Sequence, residues 1–581
     1  MDQFLAYIDE DELGLPHSSL GDVLDLVASM PAEPAIGLLA KLVARVRQIG
    51  FRGDQQVSLA RDFYGDIELT DHMAALVREE PSRRIFADQS LHLLMWLILL
   101  RGTNGPPTGD FSVDAHVRLR RALLGCTSVL GDATRRFEMS GTDEDLLAYF
   151  VQISAYYRRE TPLHALTRAR ELLRIALSEW GQKHHQSCPL NEWHDAAYGV
   201  NLDEQLRLGF GLSAMFHAYE EGKEAGSRVY LSRKNVDDYL LKAGLLDRRE
   251  QALGLISATR TDFVAELEKV AGDIENVVWE DTVFKRFPFL RTADDGLIML
   301  SPVFAQSWTA EGFHYRSLVA AEKRDLELDT KRRESQRYSN FSGAVYERYC
   351  LDLMRSAHAS DELAPARIFG EQPFKRNKRK RTGKGEKTSD IAVDLGPDLV
   401  LIETTASRLG VIGLRTGATE KIVSDLRRCV IDKINQLDNC INQLVAGHAQ
   451  LPGVALSSVE RIWPVLVTGG AVLQSPALWH YLDERCPVAL RQARVQPLTL
   501  LDPEDFERLV GLAEEGHPIP EMLSAKTREP YARVDFAYWL NRDPLAPGRA
   551  VRAQSLKEGF SRAMTDAIGG IDFGSDAARA A

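Results

Sequence analysis

The chain has 581 residues, 44% hydrophobic and 27% charged. This excludes a disordered, collagen-like or disulfide-stapled polypeptide and leaves room for roughly two to four domains. The formal charge of −12 is uneven: residues 331–450 hold 21 Lys and Arg against 15 Asp and Glu, so positive charge gathers in one segment of an acidic chain. Such a segment points to an anionic partner. The six cysteines are scattered without a Cys-x-x-Cys pair, which suits a reducing compartment and argues against a zinc ribbon. The longest strongly apolar run, 91–100, is about half of what a membrane-spanning helix needs. The N-terminus shows no basic stretch followed by an apolar run, so a cytoplasmic protein without a secretory signal is expected.

Residues 1–225 read as a mainly helical domain. Leu20, Val23, Leu24, Leu26 and Val27, then Leu38, Leu39, Leu42, Val43 and Val46, recur at three and four. Residues 90–100 and 146–157 continue the pattern. No fixed-period repeat is visible, and nothing here assembles an active site, so an interaction or substrate-positioning role is expected. Residues 226–335 read as a mixed α+β or winged-helix-like connector, with short strands at 229–231, 288–291 and 296–300.

The order within 336–525 is more informative. A helix is expected over 339–357, capped by Ser339 or Asn340. Strands follow at 367–374, 390–395 and 399–404. The last of these is Leu-Val-Leu-Ile-Glu-Thr, whose unbroken apolar start predicts burial on both faces. A long amphipathic helix over 418–446 carries Ile422, Leu426, Val430, Ile434, Leu437, Ile441 and Leu444 on one stripe. A strand at 463–467, a helix at 475–484, a strand at 495–500 and a helix at 502–516 complete the order. Residues 526–581 read as a C-terminal extension ending in a disordered tail.

Buried carboxylates need partners, and Glu403 directly follows the apolar run 399–402. Residues two apart on a strand share a face, so Glu403 and Thr405 point the same way, and Asp390 on the neighbouring strand can lie beside them. Two carboxylates about 4 Å apart repel by about 4 kcal/mol at an effective dielectric near 20. A divalent cation relieves that cost. Between the first two strands, Lys375, Arg376, Lys378, Arg379, Lys380, Arg381, Lys384 and Lys387 face a single acid, Glu386, in a loop loosened by Gly383 and Gly385. The loop lacks aromatics, so it suits phosphate contact better than base readout. Asp394 and Asp398 flank Gly396-Pro397, where Asp serves turn chemistry.

The element order, with Ser389-Asp390-Ile391-Ala392-Val393-Asp394 followed by Leu401-Ile402-Glu403-Thr404-Thr405, resembles the PD-(D/E)XK superfamily of restriction-endonuclease-like nucleases over about residues 336–515. The resemblance implies an α/β core, a mixed sheet flanked by helices, and metal-dependent hydrolysis of DNA phosphodiester bonds in restriction, repair or phage defence. It implies Asp390 and Glu403 as Mg²⁺ or Mn²⁺ ligands and Glu347, on the preceding helix, as an auxiliary ligand. The family's lysine falls at Thr405. The family sometimes accepts another polar residue there or moves the lysine to the following helix, which points to Thr405 itself or to Lys433; Lys387 is a further candidate. DNA is the implied partner, with RNA left open. The resemblance also leaves room for a homodimer and for a protein partner on the helical half. The alternative is a catalytically decayed nuclease fold that binds nucleic acid or protein, and Thr405 is its main support. No Walker-type phosphate loop appears.

Overall fold

The computed structural model describes residues 7–50, 53–80, 82–104, 111–138, 142–157, 162–217, 229–271, 281–329, 333–358, 367–370, 389–410, 413–414, 417–448, 450–470, 472, 474–485, 493–547 and 553–568. The chain divides into two units. One comprises Met1–Ser140, Leu190–Ala320 and Met564–Ala581; the other comprises Gly141–Pro189 and Ala321–Ala563. The division does not follow the boundaries expected after 225, 335 and 525. Burial, not chain order, sets it. Leu147 and Val151 from the early helix Asp143–Tyr157 close a core with Ile422, Leu426, Val430 and Leu466, so this helix belongs with the later unit. The expected basic loop 375–387 and tail 569–581 lie outside the described residues.

The first unit is mostly helical, with one small sheet. Its helix Asp88–Arg101 is buried on all sides from Gln89 to Leu99, as an apolar sequence without a polar face must be. Trp96 stacks on Phe284 at 4.1 Å. Arg260 donates from Nε to the Leu99 carbonyl at 2.7 Å, meeting an acceptor that the helix end leaves open. Strands β1 (Tyr230–Leu231), β2 (Ser257–Thr259), β3 (Phe289–Arg291) and β4 (Leu297–Met299) form a sheet in the order β1-β4-β3-β2. The short strands expected at 229–231, 288–291 and 296–300 are present, and β2 was not foreseen. No described helix is long and apolar enough to cross a membrane.

The second unit holds the sheet that carries the site. Strands β5 (Ile368–Gly370), β6 (Ile391–Asp394), β7 (Asp398–Thr404), β8 (Arg461–Val467) and β9 (Thr499–Leu501) follow in that order. β5, β6 and β7 pair antiparallel, while β7, β8 and β9 pair parallel. The layout is a mixed sheet among helices. Asp394 and Asp398 are taken up by structure. Asp394 accepts from Gly396 N–H at 3.0 Å and from Arg367, and Gly396 has φ +83°, a conformation that glycine adopts at no steric cost. Asp398 accepts from Trp463 Nε1 and Arg461 at 2.7 Å each.

Every residue of β7 is buried. On one face, Leu399 and Leu401 pack against Leu437, Cys440, Ile441 and Leu444 of the long helical segment 419–445. That segment is not one regular helix. Thr419–Leu426 is followed by a π-helical turn, Arg427–Ile431, and then by Asp432–Val445. The sequence explains the insertion. Ile422, Leu426, Val430 and Ile434 step by four, and each step overshoots a 3.6-residue turn by about 40°. The wider turn absorbs the drift and keeps the stripe on the sheet.

The helix Arg333–Ala357 begins earlier than expected, so neither Ser339 nor Asn340 caps it. Ser339 lies inside the helix, and its hydroxyl donates to the Ser335 carbonyl. The cap comes from outside, because the buried Asp325 carboxylate accepts from Glu334 N–H at 2.8 Å and Ser335 N–H at 3.0 Å. A cap supplied from beyond the helix's own start leaves no local signature.

Candidate active site

The site forms where β6 begins and β7 ends. β6 and β7 pair Ile391 with Ile402, and continuing that register places Asp390 opposite Glu403, on one face of the sheet. The backbone N–H of Asp390 hydrogen-bonds the Glu403 carboxylate. Asp390 is held from β7: its Oδ2 accepts from Thr404 N–H at 2.8 Å and from the Thr404 hydroxyl at 2.9 Å. Ser389 N–H donates to Cys440 Sγ at 3.2 Å, which ties the entry to β6 to the Asp432–Val445 helix.

Lys433 completes the group. It sits in the first turn of Asp432–Val445, one and two turns before Leu437 and Ile441 on the sheet-facing side. Its Nζ lies 2.9 Å from Glu403 Oε1 and 3.0 Å from Gln436 Oε1. The structure therefore brings Asp390, Glu403 and Lys433 together, with Lys433 on the following helix. Glu347, half-buried on Arg333–Ala357, acts on the same ammonium electrostatically.

Thr405 directly follows the end of β7. It is buried, its N–H donates to the Val467 carbonyl at 3.0 Å, and its hydroxyl accepts from Ser407 N–H at 3.1 Å. These bonds close the turn after β7. Lys375, Arg376, Lys378, Arg379, Lys380, Arg381, Lys384 and Lys387 lie outside the described residues.

The electrostatics follow from burial. Burial pushes the Glu403 carboxyl up, the neighbouring Asp390 adds to the shift, and Lys433 pulls the other way, leaving it at about 7. For Lys433, burial disfavours the charge, but Glu403, Asp390 and Glu347 outweigh it and raise the ammonium above its ordinary value. Three carboxyl groups acting on one ammonium favour added positive charge at this partly desolvated strand end. Among the described residues no group of three or more His, Cys, Asp and Glu side chains is arranged to hold a metal ion. Asp390 and Glu403 are the paired acids that could hold a cation, and Glu347 acts electrostatically on the same ammonium. Oxygen donors only, an excess of negative charge and a small protein contribution fit Mg²⁺, which keeps waters and takes substrate phosphate oxygens.

The same unit holds another buried charge. Glu507, on the helix Pro503–Glu514, is fully buried and accepts from His164 Nδ1 at 2.9 Å, from Arg168 Nε and from the Tyr349 hydroxyl at 2.7 Å. Burial opposes its charge, but Arg168 and His164 outweigh it and hold the carboxyl at about 2. This cluster joins the helices Pro162–Leu177, Arg333–Ala357 and Pro503–Glu514.

One feature of the site had no sequence signal, and another only a weak one. Thr404 anchors Asp390, but a threonine at a strand end is ordinary β chemistry. Gln436 orients Lys433, and its only mark was the three-residue spacing from that lysine. No protein-family model, no curated protein and no solved structure matches the chain.

Proposed function

We propose that the second unit is a divalent-metal-dependent nuclease that hydrolyses DNA phosphodiester bonds on a restriction-endonuclease-like core. One observation carries this reading: a buried carboxylate at about 7, paired through an adjacent strand with Asp390 and touched at 2.9 Å by the Lys433 ammonium. A purely structural ion pair needs one acid and one base; here a second acid is bound to the same strand end and a third acts on the ammonium.

Asp390 and Glu403 would hold the cation, with Glu347 as the outer acid. When bound, the cation supplies polarisation of the scissile phosphate and a lowered pKa for a water. Thr404 fixes the orientation of the Asp390 carboxylate. Lys433, fixed by Gln436 and Glu403, holds a positive charge where negative charge develops on the phosphate. It donates hydrogen bonds to the attacking water and orients it. The basic segment from Lys375 to Lys387, shortly before Asp390 in the sequence, supplies the electrostatic attraction that nucleic acid needs.

The test is cleavage of supercoiled plasmid and labelled single-stranded DNA with Mg²⁺, Mn²⁺ or EDTA, using the full chain beside Asp390→Ala, Glu403→Ala and Lys433→Ala. Cation-dependent cutting lost in all three variants supports the reading. Salt-sensitive DNA binding without cutting by any form would replace it with the decayed-nuclease alternative.

A further inference from the structure

The helix that carries Lys433 turns an uncharged face outward. From Ile434 to Gly447 the sequence holds one charged residue, Asp438, and five carboxamides, Asn435, Gln436, Asn439, Asn442 and Gln443. Ile434-Asn435-Gln436-Leu437 returns unchanged as Ile441-Asn442-Gln443-Leu444. A shift of seven residues is nearly two helical turns, so both copies present the same groups on the same sides. The apolar members of each copy are buried, and Leu437, Ile441 and Leu444 pack with Leu399 and Leu401 of β7. Asn435, Gln436, Asn439 and Asn442 are exposed, and Gln443 is half-buried. A solvated helix face is ordinarily built from Lys, Glu and Arg, which form helix better than Asn. Three asparagines inside this helix weaken it, and solubility does not require them.

The face continues the site. Residues three and four apart are neighbours on a helix, so Gln436, Asn439 and Gln443 follow Lys433 in one row. Lys433 Nζ donates to Gln436 Oε1 at 3.0 Å. An ammonium only donates, so the Gln436 oxygen faces it and the Gln436 amide NH₂ group is turned away from it. Asn442 is taken up by Asp438, to which its Nδ2 donates at 3.1 Å. Gln443 Nε2 lies 3.5 Å from Asn439 Oδ1, at the outer limit of a hydrogen bond. The Asn439 NH₂ group donates to no partner among the described residues. From Gln436 to Gln443 the row is about 10 Å long at about 1.5 Å per residue, the height of about three base pairs. A DNA major groove admits an α-helix, and a carboxamide there pairs with adenine by donating to N7 and accepting from the N6 amino group.

We propose that Asn439 and Gln443, continuing the row from Gln436, form a base-reading surface for duplex DNA, lying in the major groove beside the phosphodiester held at the acids and favouring adenine. This rests on the nuclease reading and adds a sequence preference to it.

The experiment uses the full chain carrying Glu403→Gln, in which cutting is lost and binding is read alone. A random-sequence duplex DNA library is mixed with this parent, and with versions that also carry Asn439→Ala, Gln443→Ala or both, and the bound fraction is sequenced. The parent is expected to enrich adenine within a run of about three neighbouring pairs, and each alanine to lower the preference at one of them by about tenfold. The slope of log K against log salt on the unselected library stays unchanged in the double variant, because a carboxamide displaces no counterion. A library with 7-deazaadenine in place of adenine loses the enrichment, because the N7 acceptor is gone. Alanine forms helix better than Asn or Gln, so the variants unfold in urea at no lower concentration than the parent. A parent that binds DNA without enriching any base would overturn the assignment and leave the nuclease reading in place. So would enrichment that survives in the double variant or with 7-deazaadenine, and so would a loss of enrichment accompanied by a loss of stability, which would make the carboxamides structural. No DNA binding by the parent would remove both readings.

Discussion

Glu403→Gln separates a metal-binding acid from a structural ion pair by the sign of its effect on stability. The Glu403 carboxyl stands at about 7 in the fold against an ordinary value of 4.5. A group with a raised folded pKa gives its full stabilisation below the unfolded value and loses it as pH rises through the folded one. The loss therefore develops between pH 4.5 and about 7. A gap of roughly 2.5 units at about 1.4 kcal/mol each amounts to about 3 kcal/mol by pH 8. Glu403 is only 5% exposed, so solvent screening does little to reduce it. Glutamine mimics the protonated acid, and its amide oxygen still accepts from Lys433. In EDTA at pH 8 the variant is expected to be more stable than the parent by up to about 3 kcal/mol, with the two coinciding near pH 4.5. Urea unfolding followed by tryptophan fluorescence reads this, with the buried Trp463 on β8 as one reporter of the sheet. Adding Mn²⁺ should stabilise the parent by about 2.7 kcal/mol at a hundredfold excess over its dissociation constant and leave the variant unmoved. A variant less stable than the parent at pH 8 without metal would refute the reasoning and make Glu403 a structural partner of Lys433.

Lys433→Met should abolish cutting while tightening Mn²⁺ binding measured by calorimetry, because the ammonium no longer competes for Glu403; unchanged affinity would count against that competition. Thr405→Lys should not raise activity and should cost about 1–3 kcal/mol through overpacking; a gain in cutting would show that the family's lysine position is open. Glu507→Gln should cost about 3–5 kcal/mol at neutral pH, since it leaves Arg168 buried without its counter-charge. Because the folded Glu507 carboxyl is depressed to about 2, its stabilisation is present above the unfolded value near 4.5 and is lost as pH falls toward 2. The parent's stability should therefore fall over that window and the variant's should not follow, read by unfolding at stepped pH.

The sequence by itself determined the local order of the second unit. The apolar run 399–402 ending in Glu403 could only be a buried strand, and Gly396-Pro397 between two aspartates could only be a turn. The helical stripe from Ile422 to Leu444 faced the core as its spacing required, although a π turn at Arg427–Ile431 interrupts the single helix expected there. Nearest-neighbour chemistry decides such features, and it is written in adjacent residues. Tertiary structure alone decided which distant groups meet. Lys433 stands 30 residues from Glu403, and only the packing of Leu437 and Ile441 on β7 turns its ammonium toward that acid. The capping of Arg333–Ala357 by Asp325, the anchoring of Asp390 by Thr404 and the burial of Glu507 against Arg168 are likewise contacts between separate elements. The division into units follows the same rule. Leu147 and Val151 look like any other helical apolar pair in the sequence, and they join the later unit because its core is where their surface is buried. The bond from Ser407 N–H to the Thr405 hydroxyl is another contact without a sign in the sequence.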